Sequence, residues 1–116
     1  MLRAQFWPIS LSWLQAFERL ELIMIRHVVL FRAKKDQFDV VLNGLKILEK
    51  NPHATLCEVR PNLKLDDLSQ EIDVMVYAEF ASARELDLFK EHPIYHQSIS
   101  LVRSFRDIRI VADVMS

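Results

Sequence analysis

Residues 72–80 read IDVMVYAEF, and this stretch decides the fold. Ile72, Val74, Val76, Ala78 and Phe80 alternate with Asp73, Met75, Tyr77 and Glu79, a period of two that assigns the two sets to opposite faces of a β-strand. The pattern then changes. Ser82, with Glu85 three residues on, predicts a capping box in which each side chain satisfies a backbone N–H at the start of a helix running to Lys90. His92-Pro93 interrupts that helix, and proline at a first helical position opens a second piece through about Arg103. A last strand is predicted from Asp107 to Val114, with Ile108, Ile110 and Ala112 on one face.

Upstream of the deciding stretch, the polar run Lys64 to Glu71 reads as a loop and Thr55 to Asn62 as a strand. Pro61, which has no N–H for a ladder, places that strand at a sheet edge. Asp36 is the candidate N-cap of a helix in which Phe38, Val41, Leu42, Leu45 and Leu48 recur at helical spacing, ended by Asn51-Pro52. Gly44 sits inside this helix at a cost of roughly 1 kcal/mol relative to alanine. Ile25, His27, Val29 and Phe31 alternate with Arg26, Val28, Leu30 and Arg32, a strand largely apolar on both faces and therefore central. The order is β-α-β-β-α-β. In so short a chain it predicts an α+β, ferredoxin-like fold: a four-stranded antiparallel sheet with both helices on one face.

Such a layout leaves the other sheet face open. It is predicted to carry Val28, Leu30, Met75, Tyr77 and Val111 among Arg26, Arg32, Asp73, Glu79 and Arg109. That mixture is too apolar for water, and a domain this small gains from burying it, so a face-to-face homodimer is expected.

The 116 residues allow one domain, and 51% hydrophobic with 27% charged residues exclude a disordered chain. Fifteen basic against sixteen acidic residues give a net charge of −1, which argues against a nucleic-acid partner. One glycine excludes every Gly-rich phosphate loop. One cysteine, Cys57, excludes an intrachain disulfide and a Cys-based zinc site, and suits a reducing, cytoplasmic location. No apolar stretch approaches the ~20 residues of a membrane span, so no membrane partner is expected. Residues 1–23 read as an N-terminal extension upstream of a second candidate start, Met24, with residues 11–21 able to form a short amphipathic helix through Leu11, Leu14 and Phe17. The functional domain is then 24–116.

Four segments together resemble the stress-responsive A/B barrel (Dabb) family: MIRHVVLF at 24–31, the strand ending in AEF before a capped helix, HPIYH at 92–96, and RSFRDIRIVAD at 103–113. The resemblance covers residues 24–114. It implies a ferredoxin-like domain whose sheets pack across a two-fold axis into a barrel, with no cofactor and, for most members, no established reaction. A plant polyketide cyclase of the family works by acid–base chemistry in a pocket between sheet and helices. Carried over, its histidine two residues after the His-Pro proline becomes Tyr95, a pocket-lining histidine matches His27, and a tyrosine becomes Phe89.

The expected pocket is therefore His27, Phe89, His92 and Tyr95, with His27 and Tyr95 the candidate acid–base pair. Each has a plainer alternative: His27 as a buried neutral histidine, His92 as a helix-junction residue, Tyr95 as a core ring. His92 and His96 are four apart, but Pro93 between them and the lack of a third nearby ligand set metal binding aside. Arg103, Arg106 and Arg109 read as a solvated cluster around Asp107. The leading expectation is a dimeric domain of unassigned activity that binds a small hydrophobic molecule. The alternatives are a cofactor-independent cyclase, isomerase or lyase acting on a polyketide-like or aromatic substrate, and a purely structural oligomer.

Overall fold

A computed structural model describes residues 23–116. The elements are β1 (Ile25–Ala33), α1 (Phe38–Lys46) with a 3-10 turn (Ile47–Lys50), β2 (Leu56–Pro61), β3 (Val74–Phe80), α2 (Ala83–Glu91), α3 (Pro93–Val102) and β4 (Arg106–Met115). The strands form one sheet in the order β2-β3-β1-β4, every pairing antiparallel. This is the ferredoxin-like arrangement, with β1 central and β2 at an edge as Pro61 requires. The expected amphipathic helix at 11–21 lies outside the described residues, as does all but the last residue of the expected extension 1–23.

The alternation in β3 is observed directly: Val74, Val76, Ala78 and Phe80 are buried, while Met75, Tyr77 and Glu79 are half-exposed. The buried set joins Val29 and Phe31 of β1 and Val59 of β2 under the helices. Val41, Leu45, Leu86, Phe89 and Val102 close the core from above. Phe80 and Phe89 meet edge to face, with centroids 4.9 Å apart, and full burial of each ring contributes roughly 1.5–3 kcal/mol.

Gly44 is a close approach between helices. A Cβ there would lie 2.6 Å from Val102 Cγ2, and the Ser98 hydroxyl donates to the Gly44 carbonyl at 2.8 Å. The roughly 1 kcal/mol lost in helix propensity is offset by direct packing of α1 on α3.

Three local expectations are corrected. Asp36 does not cap α1; it adopts a left-handed backbone (φ 63°), and Gln37 occupies the cap position without a side-chain bond. Aspartate tolerates that conformation better than most residues, and here the tight turn after β1 outweighs capping. The capping box of α2 is half-formed: the Ser82 hydroxyl accepts from Glu85 N, but the Glu85 carboxylate is 3.2 Å from His53 Nδ1. The third correction concerns β4. His27, Val29 and Phe31 pair with Asp113, Val111 and Arg109, so Val111 and Arg109 lie on the helix side of the sheet and not on the open face. The open face of β4 carries Ile108, Ile110, Ala112 and Val114, opposite Arg32, Leu30, Val28 and Arg26.

Near its start β4 bulges. The register passes from Arg32↔Ile108 to Ala33↔Arg106, leaving Asp107 without an opposite residue. The extra residue reverses the alternation, so Arg106 emerges on the same side as Arg109. The Asp107 carboxylate accepts from Arg32 Nε at 2.8 Å.

Candidate functional site

His27 sits on the buried face of β1 between Ala78 of β3 and Asp113 of β4. The small Ala78 side chain leaves room for the imidazole, which stacks edge to face on Phe80 with centroids 6.1 Å apart. Only 2% of His27 is exposed. Its Nδ1 lies 2.5 Å from Asp113 Oδ1. Burial holds its pKa below the ordinary histidine value; Asp113 opposes that shift, while Lys90 and Arg109 add to it. The ring is therefore neutral near pH 7, and an ionised Asp113 can accept only from Nδ1–H. That tautomer leaves Nε2 a hydrogen-bond acceptor with no partner among the described residues.

The ring lines a partly open cavity of about 270 Å³ between sheet and helices. Val29, Phe31 and Val76 form its floor, and Leu45, Leu48 and Val102 its walls. Phe89 and Tyr95 also face it, their rings edge to face at 5.6 Å. Arg103, Arg106 and Arg109 complete the lining. Ser98 is on the wall too, but its hydroxyl is spent on Gly44.

The cavity thus gathers His27, Phe89 and Tyr95 and leaves out His92. His92 is the N-cap of α3: its extended backbone precedes Pro93, and its Nδ1 accepts from Ile94 N at 3.1 Å. Its ring packs against His53, away from the cavity lining. Among the described residues no three His, Cys, Asp or Glu side chains are grouped to hold a metal ion.

A family model described as the stress responsive A/B barrel domain matches residues 25–116. The chain belongs to this family. The Dabb domain is similar in fold to several solved structures. One is a dimeric, ferredoxin-like protein of unknown function from Bacteroides fragilis: 20% identity, 80% of this chain and 96% of that chain covered, TM-score 0.68. Another dimeric ferredoxin-like protein of unknown function, from Thermobifida fusca, matches at 20% identity over 81% of this chain and 92% of that chain, TM-score 0.68. A hydroxynitrile lyase from Passiflora edulis matches at 16% identity over 82% and 94%, TM-score 0.69. No curated protein matches the chain in sequence.

Two features of this Dabb domain's site escaped the sequence reading. Asp113 was not paired with His27, because that pairing depends on the register between strands 86 residues apart. Nor are the three arginines a cluster around Asp107, since Asp107 is bound to Arg32 and the arginines line the cavity. The alternation of β4 could have flagged Arg109; Arg106 is turned inward only by the bulge.

The open face presents a second, shallower hollow of about 470 Å³, lined by Leu30, Met75 and Ile72 and by Leu63 and Leu65 of the β2–β3 loop. Ile110 and Val114 are about half exposed on the same face, at 55% and 53%. Among the described residues no helix is long and apolar enough to cross a membrane.

Proposed function

We propose that this Dabb domain is a homodimeric binding protein whose cavity holds one small, largely apolar molecule. The observation that carries the reading is the 270 Å³ cavity itself, apolar on floor and walls, with one oriented histidine nitrogen unclaimed among the described residues. A void of about 150 Å³ admits benzene, so this volume suits a single ring with short substituents. His27 and Tyr95 would orient that molecule by hydrogen bonds, and Phe89 would pack on it.

The dimer is supported by the open face. Leu30, Met75, Ile110 and Val114 form an apolar surface that a second copy would cover, and similar folds from Bacteroides fragilis and Thermobifida fusca are described as dimeric. Residues 24–116 are the working unit of this reading, acting in the cytoplasm without a cofactor.

Native mass spectrometry of the protein purified from its own source tests both parts. The expected result is a dimer retaining a small organic molecule. A ligand-free protein whose melting temperature no one-ring probe raises would overturn the binding reading. A monomer at micromolar concentration would overturn the dimer.

A further inference from the structure

Arg103, Arg106 and Arg109 converge on the cavity from the end of α3 and the start of β4. Seven ion pairs are formed among the described residues, and none includes these three arginines. The carboxylates nearest in sequence are engaged elsewhere: Asp107 is turned to Arg32, and Asp113 is committed to His27. The Arg106 guanidinium carbon lies 5.9 Å from the Phe31 ring centroid, seated against the apolar lining. Its pKa is lowered first by burial and then by Arg109 and Arg103, with Tyr95 opposing the shift. Three cavity-lining arginines, Arg106 half-buried and Arg103 and Arg109 at the exposed rim, with no ion pair among the described residues, mark a place for an anion.

We propose that the cavity binds a small organic carboxylate, its apolar body between Val29, Phe31 and Val102 and its carboxylate across Arg103, Arg106 and Arg109. The inference rests on the reading of the cavity as a ligand site. Guanidinium forks match a planar carboxylate in bidentate fashion, and the apolar wall behind them selects for a hydrophobic body. Inorganic phosphate has the charge without that body.

The test uses the full chain and four probes: benzoate, benzamide, phenol and inorganic phosphate, followed by calorimetry and thermal shift. Benzoate is expected to bind and to raise the melting temperature, benzamide at least tenfold more weakly, and phosphate alone not at all. Arg106→Gln and Arg109→Gln should each weaken benzoate by about tenfold or more, the loss of one charge-assisted bond. Arg109→Gln, at an exposed position, should not lower the melting temperature of the ligand-free protein, and it keeps the test interpretable if Arg106→Gln loses stability with its packing on Phe31. Equal binding of benzoate and benzamide, or benzoate binding indifferent to both substitutions, would overturn the proposal while leaving the ligand site standing. Binding of phenol without benzoate would do the same. Failure of all organic probes would remove the ligand site itself. Conversion of the dimer to monomer by Arg106→Gln would assign the arginines to the subunit interface and overturn the proposal.

Discussion

His27 and Asp113 stand opposite each other across the β1–β4 ladder, with Nδ1 and Oδ1 2.5 Å apart. One partner is almost wholly buried and the other is 40% exposed, so the pair joins the cavity to the surface. A pH dependence follows. The folded protein binds a proton at His27 less readily than the unfolded chain does, whose histidine titrates at the ordinary 6.5. As pH falls through that value the unfolded state gains protons first, so stability is lost below about pH 6.5 and is restored above it. The charged groups around the ring are Asp113, Lys90 and Arg109. His27→Gln should flatten the dependence between about pH 7 and pH 5, measured by urea unfolding at each pH. An unchanged slope would mean that another group controls it.

Gly44→Ala should destabilise, against the direction of helix propensity. The added methyl would meet Val102 Cγ2 at 2.6 Å and Leu101 Cβ at 3.3 Å, both on the packed α3. Overpacking of this kind costs typically about 1–3 kcal/mol and the propensity gain returns about 1, so a net loss of up to about 2 kcal/mol is expected in chemical denaturation.

Cys57 should be nearly inert in the native protein. Burial and the nearby Glu49 and Glu58 push its thiol up to about 12 from 9.0. At pH 8 the thiolate fraction is then about a thousandfold smaller than in the unfolded chain. Alkylation followed by mass spectrometry, with and without denaturant, should show slow native labelling and fast labelling on unfolding.

Ile110→Lys tests the open face. Ile110 is 55% exposed in the protomer, so a lysine there leaves the fold intact, with its melting temperature close to that of the isolated wild-type protomer. In the proposed dimer it would bury a charge, and sedimentation should show a shift from dimer to monomer. A dimer that persists would place the interface elsewhere.

Much of this domain was legible because its two periodicities are clean. The alternation of 72–80 and the Ser82 signal define β3 and the start of α2 without reference to anything distant. His92-Pro93 likewise announces the α2–α3 junction, and the structure adds only that the His92 side chain is used there as a cap. Asp36 was misjudged because the turn after β1 governs it, and the packing reason for Gly44 inside its helix was not legible because Val102 lies outside that element.

By itself the sequence determined the element order and the sheet with β1 at its centre, because local periodicity and caps act over a few residues, whereas His27, Phe89 and Tyr95 were expected at the pocket only through the family resemblance. Only the tertiary structure decided which charges face which. The bulge at Asp107 is a property of two paired strands, and by reversing the alternation of β4 it sends Asp107 to Arg32 and turns Arg106 toward the cavity beside Arg109. A single strand read alone carries no mark of the residue its partner will skip.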